Sequence, residues 1–137
     1  MIQKINHIGI AVSSLTEQIP FYRDVLKLNF LGEETVPGQG VRVAMFQCGK
    51  VKIELLEPMG PESPIARFIE KKGPGIHHIA YETSSLRKQL QSLEAAGIRL
   101  IDKTPRNGAH KTKIAFLHPA SSGMVLTELC ETGGGKE

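Results

Sequence analysis

The sequence predicts an α+β fold of two tandem βαβββ modules whose strands form one curved, half-barrel sheet. Three observations carry this. First, the 137-residue chain contains itself twice: INHIGIAVSSL (5–15) and IHHIAYETSSL (76–86) are identical at six of eleven positions, at an offset of 71 residues. A repeat of this kind marks a duplicated structural unit. Second, apolar residues at helical spacing follow each copy: Leu15, Ile19, Tyr22 and Leu26, then Leu86, Leu90 and Leu93. Third, each helix is followed by three strand-like runs, and the last runs, VKIELLEP and MVLTELCE, place Glu54 over Glu128. A four-stranded module with one apolar face does not stand alone. Two of them packed side by side leave a cleft, where small-molecule sites are favoured.

The elements follow in order. The repeated stretch that opens each module reads as a strand. Ser14 with Glu17 forms a capping box for the first helix. Pro20 removes a backbone donor one turn in, so a kink or a late helix start is expected. Strands are expected over roughly 28–36, 40–47 and 50–57, with CGK as a tight turn between the last two. A connector, EPMGPESPIARFIEKKGPG, carries a short helix: Ser63 caps it, Pro64 suits its first turn, and Gly73 ends it. In the second module Gly97 stops the helix. Strands are then expected over roughly 98–103, 111–117 and 124–131, with HPASSG as a turn. The whole reads as a single domain over 1–137: module 1 at about 4–57, connector 58–75, module 2 at 76–131, and a flexible tail at 132–137.

Composition narrows the function classes. The chain is 40% hydrophobic and 23% charged, an ordinary globular balance. No apolar run is long enough to span a bilayer, and MIQKINHIGIAV lacks the features of a signal peptide, so a cytoplasmic protein without a membrane partner is expected. Cys48 and Cys130 show no metal spacing and no disulfide framework, and both are expected as buried free thiols. The net charge of +3 is dispersed and Trp is absent, which argues against a nucleic-acid surface.

Four residues have the character of a metal site. His7 shares a strand face with Gly9 and Ala11, and His78 with Ala80, so small neighbours leave space beside each imidazole. Glu54 and Glu128 sit inside apolar runs, where carboxylates are rare unless paired or bound to a cation. One His and one Glu from each module suit cobalt, manganese, zinc, nickel or iron(II). Each residue has a plainer reading as a satisfied strand histidine or a solvent-facing glutamate; the internal symmetry favours the metal. His77 falls opposite Asn6 in the repeat, on the other strand face from His78, and reads as a packing residue. Gln39, His110 and His118 lie in or beside loops and are weaker candidates for substrate contact, His118 having a competing role in shaping the turn before Pro119. Arg106, Lys111 and Lys113 read as solvated surface, with contact to a ligand phosphate as the lesser alternative.

The HIGIAV start, the FYRDVL helix and the repeated module resemble the vicinal oxygen chelate superfamily, which includes glyoxalase I and extradiol dioxygenases. More narrowly, IELLEP, SPIARFIEKKGPGIHHIA and IAFLHPASSGMVLTEL resemble the methylmalonyl-CoA epimerase family, over about residues 4–131. That resemblance implies a vicinal oxygen chelate (glyoxalase-like) fold and a divalent metal at His7, His78 and Glu128, with Glu54 at the remaining position. Cobalt is the favoured ion, ahead of manganese, zinc, nickel or magnesium, and no redox cofactor is needed. It also implies a homodimer, methylmalonyl-CoA as substrate, and interconversion of its (2R) and (2S) forms by proton abstraction next to the thioester. Some family members carry a Glu on the second strand of module 1, where this chain has Val43, and a Gln where it has Glu54. Glu54 then becomes the second base, opposite Glu128. Two rivals share the fold: a glyoxalase I-type lactoylglutathione lyase with the same ligands, and a metal-free protein that sequesters a small molecule.

Overall fold

A computed structural model describes residues 1–133. Among the described residues there are eight strands and three α-helices, an α+β architecture. They are β1 (Ile2–Ala11), α1 (Leu15–Pro20), β2 (Asn29–Val36), β3 (Val41–Cys48), β4 (Val51–Pro58), α2 (Pro64–Lys72), β5 (Gly75–Thr83), α3 (Leu86–Ala95), β6 (Arg106–Asn107), β7 (Lys113–Leu117) and β8 (Thr127–Glu131). The strand order is β2-β3-β4-β1-β5-β8-β7-β6. The chain divides into two compact units, one of Met1–Asn6 with residues from His78 onward, the other His7–His77.

In the unit His7–His77, the end of β1 runs parallel to β4, and β4, β3 and β2 are antiparallel neighbours. Alternation along these strands separates two faces. One face packs under α1: Val12, Leu15, Ile19, Ala44, Phe46 and Leu55 form its core. The other carries His7, Val43, Met45 and Glu54, all buried. Helix α1 begins where the capping box predicts, with the Glu17 amide donating to Ser14 Oγ at 3.2 Å. Pro20 does not delay it. Instead the helix widens over Phe21–Val25 into a π turn, with the Leu26 amide donating to Phe21 O. Proline lacks the N–H that would continue the regular ladder, and the wider turn re-pairs the backbone beyond it. The two-residue turn after Cys48 and the capped helix α2 are as expected: Ser63 Oγ accepts the Ile65 amide and Gly73 ends the helix.

In the other unit, β5 and β8 are parallel, β8 and β7 antiparallel, and β7 pairs with β6. Leu86, Leu90, Ala115, Leu117 and Leu129 form the core under α3. Ala80, Ile114, Phe116 and Cys130 pack on the opposite face, which also bears His78 and Glu128. Helix α3 ends at Gly97, whose φ of 87° suits a residue without Cβ, and the Ile98 amide folds back to Leu93 O.

Three strand expectations in this unit need correction. Residues 98–103 form no regular strand; Leu100 makes one isolated bridge to Leu117. The Asp102 side chain accepts the Phe116 amide at 2.9 Å, so a carboxylate takes the place of a ladder carbonyl. The next strand starts at Lys113 rather than 111, because His110 and Lys111 hold φ of 53° and 60°. The last starts at Thr127 rather than 124, because Met124 has a φ of 70° in the preceding turn. The cysteine expectation is half right: Cys130 is buried, but Cys48 is exposed at the end of β3 beside the turn. Of the expected tail, Thr132 donates to Glu82 Oε2 at 3.2 Å; residues 134–137 lie outside the described residues.

Candidate metal centre

Each unit holds one buried histidine beside one buried glutamate. In the first, the parallel register of β1 and β4 places Gly9 opposite Glu54, so no side chain fills the space next to the carboxylate. His7 Nε2 and Glu54 Oε1 are 3.2 Å apart. In the second, Ala80 stands opposite Glu128 in the β5–β8 register. His78 Nε2 and Glu128 Oε1 are 3.0 Å apart. The four residues are 3–6% exposed, which is the range of an apolar core.

Such burial is costly for charge unless each carboxylate is paired, by several kcal/mol per ion. Both pairs meet that demand, and among the described residues no buried side-chain nitrogen or oxygen lacks a partner. The distances suit a hydrogen bond. They also suit two ligands of one cation, since atoms about 2.1 Å from an ion and at right angles stand about 3 Å apart.

The duplication extends through the surroundings. Met45 lies opposite Glu54 in β3–β4, and Phe116 lies opposite Glu128 in β7–β8. The Phe116 ring meets the His78 ring edge to face, with centroids 5.6 Å apart. Val43 lies on the same strand face as Glu54 and is 1% exposed, so this position offers bulk and no proton-carrying group. His77 turns away from His78 and packs against Phe68 of α2, ring centroids 4.9 Å apart. Its expected role as a packing residue against the connector is what the geometry has.

Two further glutamates were not singled out from the sequence. Glu57 Oε1 accepts the Leu15 amide at 2.7 Å, and Glu131 Oε1 accepts the Leu86 amide at 2.8 Å. They stand three residues after Glu54 and Glu128, on the opposite strand face, and tie the first residue of α1 and of α3 to the strand behind the site. The ExxE spacing in both halves of the repeat is the signal that reveals them. The three loop candidates occupy turns. Gln39 is half-buried in the 3₁₀ turn Pro37–Gln39, and His110 is exposed in the turn Ala109–Lys111. His118 Nδ1 accepts the Ala120 amide at 3.0 Å, which shapes the turn Pro119–Ser121.

Residues 6–116 match the Glyoxalase/Bleomycin resistance protein/Dioxygenase superfamily. The chain is 39% identical over 131 residues to the ethylmalonyl-CoA/methylmalonyl-CoA epimerase of Cereibacter sphaeroides, covering 94% of this chain and 98% of that one. It is 50% identical over 131 residues to the uncharacterized protein YqjC of Bacillus subtilis, covering 96% and 94%. A variant of Streptomyces coelicolor methylmalonyl-CoA epimerase, solved in complex with 2-nitronate-propionyl-CoA, superposes with a TM-score of 0.93 at 33% identity, covering 97% and 96%.

Proposed function

The chain belongs to the methylmalonyl-CoA epimerase family of the glyoxalase/bleomycin resistance protein/dioxygenase superfamily, and we propose that it interconverts (2R)- and (2S)-methylmalonyl-CoA. The observation that carries the reading is the pair of buried histidine–glutamate couples at equivalent positions of a duplicated unit. A deuteron-exchange assay tests it. Wild-type protein is expected to introduce solvent deuterium at the carbon between thioester and carboxylate, and Glu128→Gln is expected to lose interconversion of the two epimers. Normal interconversion by this variant overturns the assignment of Glu128.

The donor types fit a divalent ion: His7, Glu54, His78 and Glu128 are each buried and of the right chemical character, and we propose that these four would hold it. When bound, such an ion supplies positive charge where the enolate's negative charge gathers. Cobalt is the ion we propose.

The protein's own residues handle the proton. Inversion at carbon needs a base on one face and an acid on the other. We assign these roles to Glu128 and Glu54, one from each half of the repeat. Val43 cannot serve as a base, which leaves Glu54 for the second face. Met45 and Phe116, opposite the two carboxylates, supply apolar surface that strengthens charge interactions by excluding water. His118 shapes its turn through Nδ1, and Gln39, His110 and His118 stand as candidate contacts to substrate. The chemistry calls for no redox cofactor.

We further propose a homodimer in a cytoplasmic setting. Cys48 and Cys130, with no disulfide assigned between them, accord with a reducing compartment. Among the described residues no helix is long and apolar enough to cross a membrane.

A further inference from the structure

We infer that Arg106 reads the free carboxylate of the substrate, which makes the site selective for 2-carboxyacyl thioesters over simple acyl thioesters, a role that rests on the epimerase activity proposed for this chain. Arg106 Cζ stands 5.7 Å from the centroid of the Phe116 ring. That ring packs against His78 and lies opposite Glu128 in the β7–β8 register. A cation is thus held one aromatic ring away from a histidine–glutamate pair of the site.

Its setting is built rather than incidental. Arg106 Nε lies 3.2 Å from Asp102 Oδ1. The other oxygen of Asp102 accepts the Phe116 amide at 2.9 Å, so one carboxylate holds both the guanidinium and the strand that bears the ring. With Nε engaged, the two terminal amino groups of Arg106 form the fork that matches a carboxylate in two parallel hydrogen bonds. The backbone is fixed as well. Arg106 pairs with Ile114, and the Gly108 amide donates to Thr112 O at 3.0 Å. A Cβ on Gly108 would meet Ile114 Cγ2 at 2.7 Å and Thr112 Oγ1 at 2.8 Å, so the segment sits hard against β7.

Two anionic groups of an acyl-CoA could meet this cation. The free carboxylate is bonded directly to the reacting carbon, whereas the phosphates lie a whole pantetheine arm away. A cation one aromatic ring away from His78 therefore fits the carboxylate. The aromatic ring beneath it also orients the guanidinium plane.

Calorimetric titration of the metal-loaded protein separates the sources, using methylmalonyl-CoA, propionyl-CoA and free coenzyme A. Arg106→Gln is expected to weaken methylmalonyl-CoA binding by about tenfold or more, the value of a charge-assisted hydrogen bond. Propionyl-CoA and coenzyme A should bind this variant as they bind wild type, and Arg106→Lys should recover part of the loss. Equal weakening of all three ligands overturns the inference in favour of a phosphate contact or a structural role. Unchanged methylmalonyl-CoA binding overturns it outright. Wild-type protein that binds methylmalonyl-CoA selectively through Arg106 yet fails to epimerise it supports the carboxylate contact and sinks the activity; the two failures are distinct.

Discussion

At the scale of single residues, burial and partnership are the grounds for the roles proposed for Glu54 and Glu128. Glu54 and Glu128 are 5% and 4% exposed, and each is opposite a residue with almost no side chain, Gly9 or Ala80. Each has an imidazole at hydrogen-bond distance, and the proposed mechanism has each exchange a proton with the substrate. Glu54→Gln keeps the size of the side chain and removes its basicity. The variant is expected to exchange the α-proton of one epimer while failing to interconvert the two, read by stereochemically resolved deuterium incorporation. Normal epimerisation by Glu54→Gln rules it out as the second base. The burial and pairing of His7, His78 and both glutamates were legible in the sequence, because a polar residue inside an apolar strand demands a partner and the repeat shows the same demand twice. Asp102 was not legible. Its role depends on a side chain replacing a backbone acceptor, which no periodicity announces. Cys48 was misjudged for a related reason: its place at a strand end, beyond the cover of the helix, outweighs the general tendency of thiols to be buried.

At the scale of elements, each strand that carries a site glutamate is tied to a helix by the glutamate three residues on. Glu131 receives the first amide of α3 and Glu57 the first amide of α1, so the helix start and the strand move together. These amides have no partner within their own helix. Glu131→Ala is expected to lower stability by about 1.5–3 kcal/mol, the range for a hydrogen bond to a charged group. Glu131→Gln, which keeps an acceptor oxygen, should recover much of that. Urea midpoints check both; a wild-type midpoint in Glu131→Ala contradicts the tie. Strands β2, β3 and β4 fell within one residue of their sequence-read bounds, since clean alternation and a two-residue turn define them. The strands of the second half did not. There the boundaries are set by left-handed residues, His110, Lys111 and Met124, that carry ordinary side chains and give no glycine to mark the turn.

At the scale of the whole molecule, duplication is what the proposed metal centre rests on. One βαβββ unit offers one imidazole and one carboxylate, an incomplete set for a divalent ion. Each of the two units holds one such pair at the equivalent strand positions. The repeat does not extend to the connector helix, the irregular 98–103 segment, or Arg106 beside Phe116. The fold class was legible because the repeat and the helix spacing agree. Substrate identity was not legible from spacing and rests on family resemblance, since many reactions share this fold. The most direct test is therefore turnover itself. Protein stripped of metal by a chelator and then given single divalent ions is assayed for interconversion of (2R)- and (2S)-methylmalonyl-CoA. The account predicts no turnover by the stripped protein and recovery with cobalt, with slower recovery by other divalent ions. Full activity of the stripped protein, or none with any added ion, contradicts it.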